Sequence, residues 1–132
     1  MNKLFVYGTL KNANINRVVP GIAPYIKRRG KGFIKAKLFD LGEYPGATNQ
    51  KNTNKVYGEI VEIKPEKLEF VLDFLDDYEE VHANPKKALF KRAKTLVNTE
   101  DGKRIYAWVY WYNKSTDQNK EIKSGIYRKR KY

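Results

Sequence analysis

The sequence predicts an α+β domain whose largely antiparallel or mixed sheet curls around one core. Three observations lead there. Several short runs rich in Val, Ile, Phe and Tyr are punctuated by glycine and proline before residue 64. One amphipathic helical segment follows Pro65. Two long strand-like runs then flank Asp101-Gly102, a hairpin signal. There is no internal repeat and no linker, so residues 1–132 read as a single domain.

Taken in order, the first strand is expected from Lys3 to Tyr7, stopping at Gly8. A polar stretch, Lys11 to Arg17, leads to Pro20-Gly21 and suits a loop with a short helix. A second strand is expected from Gly32 to Phe39. The segment from Gly42 to Ala47 reads as a turn, because glycine and proline break both regular periods. Asn49 to Asn54 reads as a polar loop, and Lys55 to Ile63 as a third strand. Lys64 precedes a proline and should stay extended. Pro65 suits a first helical turn, where its missing N–H is no loss, and Glu66 suits the positive end of the helix. Leu68, Leu72, Leu75 and Glu79 fall at helical spacing on one face, and Val71 widens it. Strands from Leu89 to Val97 and from Arg104 to Tyr112 follow. In the second, Trp108, Tyr110 and Tyr112 share one face and Ala107, Val109 and Trp111 the other. Both faces are bulky, so both should be covered. The polar tail carries Ser124-Gly125 as a turn.

Composition narrows the chemistry. Hydrophobic residues make up 41% of a 132-residue chain with ten Tyr and six Phe, which suits a folded globular domain. With no cysteine, disulfides, thiolate zinc sites and cysteine nucleophiles are excluded. His82 is the single histidine, which argues against a histidine triad or a multi-histidine metal site. Catalysis, if present, must rest on carboxylates, hydroxyls, amines or the backbone. The apolar run before Gly8 is too short for a signal-peptide core, and no stretch reaches the roughly 18 apolar residues of a membrane span. The expected compartment is the cytoplasm, with no membrane partner.

The net charge is +12, and it is segregated. Lys27, Arg28, Arg29, Lys31, Lys35 and Lys37 form one basic cluster, and Arg128 to Lys131 form another. Nine of the fifteen acids lie between Glu59 and Glu80. Such a surface can attract nucleic acid or anionic lipid. Lysine-rich solvated surfaces are commoner than dedicated patches, and no RNP, zinc-finger or helix-turn-helix signature is present. Nucleic-acid binding is therefore the less favoured reading.

Two segments could carry chemistry. In Tyr7-Gly8-Thr9-Leu10 an apolar strand ends in a glycine and a hydroxyl residue. Free N–H groups after a strand can form an anion-binding nest, and glycine lets a ligand approach; an ordinary strand-ending turn fits the same four residues. The second is Leu75-Asp76-Asp77-Tyr78-Glu79-Glu80. If the helix reaches Glu79, its carboxylate faces the core, where burial would raise its pKa toward that of a general base. If the helix frays earlier, Glu79 is solvated. Asp76 and Asp77 are adjacent on a helix and point apart, so they do not make a metal pair. His82 reads as a lone loop histidine. The aromatic stripe Trp108, Tyr110 and Tyr112 reads as core, with Tyr112 as a possible pocket wall.

Read together, these segments resemble the gamma-glutamylcyclotransferase-like family, which includes AIG2-like proteins and gamma-glutamylaminecyclotransferases. Phe5-Val6-Tyr7-Gly8-Thr9-Leu10 looks like its N-terminal signature. Gly42-Glu43-Tyr44-Pro45-Gly46 resembles its turn, Val56-Tyr57-Gly58-Glu59-Ile60 its central strand, and Leu75-Asp76-Asp77-Tyr78-Glu79 its catalytic-glutamate segment. Phe90-Lys91-Arg92, Ala107-Trp108-Val109-Tyr110 and Ser124-Gly125-Ile126-Tyr127 follow in family order. Two departures stand out: Glu80 where glycine is frequent, and Phe90 where tyrosine is frequent. The resemblance implies a small mixed, barrel-like sheet with flanking helices. It also implies intramolecular aminolysis of a gamma-glutamyl amine or amino acid, giving 5-oxoproline and a free amine. Glu79 would be the general base, Tyr7, Gly8, Thr9 and Leu10 the substrate loop, and no metal or organic cofactor would be needed. A non-catalytic module of the same fold, holding a small carboxylated ligand, is the alternative. The resemblance does not identify the leaving amine or the oligomeric state.

Overall fold

Strand pairing begins at the N-terminus. In the computed structural model the described residues are 1–8, 21–42, 44–49, 54–78 and 88–128. Strand β1 (Lys3–Val6) runs antiparallel to β5 (Lys55–Ile63), with Val6 opposite Glu59. The other edge of β5 pairs with β2 (Ile26–Lys35), whose register shifts at a bulge between Arg28 and Gly30. β6 (Phe90–Thr99) and β7 (Arg104–Tyr112) form a long hairpin, with Gly102 at φ +84° in its turn. The order β1-β5-β2-β6-β7 closes into a barrel, because β7 meets β1 in parallel at Leu4 and Trp108. β2 and β6 pair only at Gly32–Thr99 and Phe33–Asn98. A second sheet has the order β4-β3-β8, from β4 (Pro45–Thr48), β3 (Lys37–Asp40) and β8 (Lys120–Glu121).

Side-chain alternation sorts the apolar residues into two clusters. Phe5, Tyr7, Ile34, Val56, Ile60, Val97, Ala107, Val109 and Trp111 pack together, joined by Leu38 and Ala47 of the small sheet. Leu4, Val6, Val61, Ile63 and Tyr110 lie on the opposite side of their strands. Against them packs helix α1 (Leu68–Tyr78), which follows a 3-10 turn at Pro65–Lys67. Val71, Leu72 and Leu75 are its buried residues, and each stabilises the fold by about 1.5–3 kcal/mol. Both faces of β7 are covered, as its two bulky stripes require.

The α+β class and the mixed barrel-like sheet are as expected, with one α-helix among the described residues. Two boundaries differ. The run expected as one strand, 32–39, is two: β2 starts earlier, at Ile26, and Ala36 marks the passage from the barrel to the small sheet. No sequence signal marks the start of β2, because residues 27–31 are exposed and carry no apolar alternation. The expected turn from 42 to 47 contains strand β4, with Pro45 and Gly46 inside it. The exception is possible because β4 is an edge strand, paired only with β3. The expected helix within 11–17, most of the loop 49–54, and His82 lie outside the described residues.

Candidate functional site

Tyr7 follows β1 and turns its side chain into the barrel core, where it is 7% exposed. Its hydroxyl donates to the main-chain oxygen of Tyr110 at 2.6 Å and accepts from the Ala47 amide at 3.0 Å. One phenol thus ties the end of β1 to β7 and β4. The next residue, Gly8, lies against the Pro45 ring: a Cβ there would stand 3.0 Å from Pro45 Cγ. Gly46 is required by close approach, since a Cβ at that position would meet Leu41 Cδ1 at 2.7 Å and Tyr112 Cβ at 2.9 Å. Tyr112 is half-buried, stacks edge-on against Phe90, and Phe90 in turn packs on Tyr44.

Tyr110 also reaches the helix. Its hydroxyl donates to Asp76 Oδ1 at 2.7 Å. Arg92, opposite Tyr110 in the β6–β7 ladder, donates to both oxygens of the same carboxylate, at 2.8 and 3.1 Å. Its guanidinium lies over the Trp108 ring, 4.6 Å from the centroid. The Asp76 hydrogen bond raises the Arg92 pKa above its ordinary value, partly opposed by burial. The last turn of α1 is therefore held to the barrel by a fork-like ion pair and a phenol.

Of the residues singled out in the sequence, Tyr7, Gly8 and Tyr112 meet around β4. Thr9, Leu10 and Glu79 lie outside the described residues. Three residues gain a place that spacing alone did not give them. Asp76 and Arg92 form the clamp just described; the signal was the facing of Arg92 and Tyr110 across a hairpin and the position of Asp76 beside Leu75. Glu59 is buried at 3% exposure and accepts from Arg28 at 2.7 Å, next to the end of β1. Among the described residues no cluster of three or more potential metal-ligating side chains occurs.

The comparisons with known proteins agree on one family. The model of the family described as gamma-glutamyl cyclotransferase, AIG2-like, matches residues 4–129. The chain belongs to this family. A protein of Methanocaldococcus jannaschii, provisionally named a gamma-glutamylcyclotransferase, is 27% identical over 119 residues, covering 87% of this chain and 88% of the relative. The crystal structure of an AIG2-like protein from Mus musculus superposes with a TM-score of 0.69 at 26% identity, over 89% of this chain and 81% of that one. The solution structure of protein ytfP from Escherichia coli gives 0.61 at 27% identity, over 95% of each chain. The barrel with its packed helix is thus the fold of the family. No helix among the described residues is long and apolar enough to cross a membrane.

Proposed function

We propose that this member of the gamma-glutamyl cyclotransferase family converts a gamma-glutamyl amine or gamma-glutamyl amino acid into 5-oxoproline and the free amine. The observation that carries the reading is the double role of Tyr110. Its main-chain oxygen holds the Tyr7 end of the substrate loop, and its hydroxyl holds the helix turn that leads into Glu79. One residue thus couples the two segments that the reaction has to bring together.

In this reading Glu79 takes a proton from the substrate's α-ammonium group. The freed amine attacks the γ-carbonyl carbon of the same molecule, forming the ring C–N bond. The amide C–N bond to the leaving group then breaks as Glu79 returns its proton to the departing nitrogen, and the second proton of the ring nitrogen passes through the same carboxylate to that amine, which leaves as an ammonium. Main-chain N–H groups of Gly8, Thr9 and Leu10 receive the substrate carboxylate or the developing oxyanion. A curled substrate conformer supplies proximity. Half-buried Tyr112 serves as a wall of the site. Each step is proton transfer or acyl transfer, so the reaction asks for no cofactor.

The test is a panel of gamma-glutamyl-alanine, gamma-glutamyl-epsilon-lysine and glutathione, with 5-oxoproline read by mass spectrometry. Turnover by the wild type and its loss in Glu79→Gln, at unchanged folding, is the expected result. Ligand binding without turnover on any of the three would favour the non-catalytic module. Full activity in Glu79→Gln would overturn the assignment of the base.

A further inference from the structure

β2 and β6 separate beyond their short contact at Gly32 and Phe33. A groove of about 810 Å³ opens along β6, with Thr48 of β4 and Tyr112 of β7 also in its wall. Its size is that of a small-molecule site. Five of its lining residues are basic: Lys35, Lys91, Lys94, Arg104 and Lys114. No aspartate or glutamate lines it among the described residues. Lys35, Lys91, Lys94 and Arg104 make no ion pair with a described residue; the Lys94 ammonium lies over the Tyr106 ring at 4.7 Å. Such a concentration of one charge in a concave wall focuses a positive potential.

A second, independent feature lies in the same groove. Thr48 ends β4 there and is 6% exposed, and its Oγ1 is the buried side-chain polar atom without a hydrogen-bond partner among the described residues. An unsatisfied buried hydroxyl costs about 1–3 kcal/mol. Such a group calls for an explanation, and a bound ion that completes it is one of them. A hydroxyl donor among several ammonium groups suits an oxygen-rich anion.

We propose that this groove, which borders the candidate catalytic site at Tyr112, is a ligand site for a small polyanion carrying two or more phosphate groups. A single carboxylate would engage one or two of the cations and leave the others facing each other. A di- or triphosphate spreads its charge over the length of the groove, and lysine serves phosphate well as a point charge. Single-stranded nucleic acid fits less well. Such sites combine positive charge with open aromatic faces. Here Trp111 is 8% exposed, and its indole N–H already donates to Thr95 Oγ1 at 3.1 Å.

The experiment is calorimetric titration of the full chain with inorganic tripolyphosphate at about 0.15 M salt, where exposed charges are well screened. Wild type, Thr48→Val and a Lys91→Ala/Arg104→Ala double variant are compared, with thermal melting of each without ligand. Saturable one-to-one binding is expected, weakened about tenfold in Thr48→Val and more in the double variant. Removing the orphaned hydroxyl should leave the melting temperature of the ligand-free protein unchanged or higher, which separates a ligand-directed hydroxyl from a structural one. A parallel arm uses a single-stranded oligonucleotide. Absence of saturable tripolyphosphate binding overturns the proposal. So does binding that either variant leaves unaltered. Oligonucleotide binding that tripolyphosphate cannot displace also overturns it, and points to a nucleic-acid surface instead.

Discussion

The Tyr7 hydroxyl donates to the main-chain oxygen of Tyr110 at 2.6 Å, across a sequence separation of 103 residues. The same oxygen atom of Tyr7 accepts from Ala47 at 3.0 Å. Tyr7→Phe removes both interactions and leaves the Ala47 amide without this acceptor in a buried place. The expected loss is about 1–3 kcal/mol of folding stability, measured by urea denaturation. An unchanged denaturation midpoint would mean that the phenol does not lock the strands together.

The clamp on Asp76 gives a second expectation. Asp76→Asn breaks a fork-like pair with Arg92 and weakens the Tyr110 contact. The pair is about a quarter exposed on both sides, so a loss of about 1–3 kcal/mol is expected. A double-mutant cycle with Tyr110→Phe should show coupling, because the Tyr110 hydroxyl donates to the carboxylate that the first change replaces. Additive effects in that cycle would dissolve the clamp into independent contacts. Because Arg92 is shifted upward, its part of the stability is fully present at neutral pH and is lost only as pH rises through its folded pKa.

How much of this was legible in the sequence depends on periodicity. Leu68, Val71, Leu72 and Leu75 announce α1 because one face is buried and the other is not. β5 and β7 announce themselves through branched and aromatic residues, and Asp101-Gly102 through turn chemistry. The strand at Ile26–Lys31 carries charge on both faces, so no period marks it. β4 defeats the usual expectation for Pro-Gly because an edge strand tolerates proline and Tyr112 needs a residue without Cβ at 46. At the candidate site, the Tyr7–Gly8 strand end was visible from local motif alone. The meeting of Asp76, Arg92 and Tyr110 was not, because it depends on hairpin register and helix docking together.

Acid sensitivity should trace in part to Glu62. Arg29 and then Lys3 hydrogen-bond its carboxylate and lower its pKa from 4.5 to about 2. Its contribution to stability is present above the unfolded value and is lost as pH falls from about 4.5 toward 2. Glu62→Gln should flatten the stability profile across that window at low salt. The difference from wild type should shrink in about 1 M salt, because these side chains are partly exposed and screened. A profile identical to wild type at low salt would remove this ion-pair cluster from the account.

The Glu59–Arg28 pair, buried at its carboxylate end only, invites a paired substitution. Glu59 is 4% exposed at its side chain while Arg28 is 55% exposed, so the carboxylate loses more on separation than the guanidinium does. Arg28→Met should cost about 1–3 kcal/mol at neutral pH, by taking this cation from a buried carboxylate. Adding Glu59→Gln should recover part of that loss, since the remaining group is then neutral. Chemical denaturation of the two variants decides it. If the double variant is less stable than Arg28→Met by the full cost of a second independent change, Glu59 is held by its other contacts and not by Arg28.

Gly46 is where fold and candidate site meet. A methyl group there would press on Leu41 at 2.7 Å and on Tyr112 at 2.9 Å, and the ring of Tyr112 stands at 3.0 Å. Tyr112 cannot retreat freely, because Phe90 stacks against its other side. Gly46→Ala must therefore shift β4 or turn Tyr112 out of place, at a cost of about 1–3 kcal/mol. Displacing Tyr112 should alter near-ultraviolet circular dichroism while far-ultraviolet signal stays the same. If Tyr112 walls the catalytic site, KM for the preferred substrate should rise at the same time. A lower melting temperature with an unaltered KM would assign Tyr112 to packing alone.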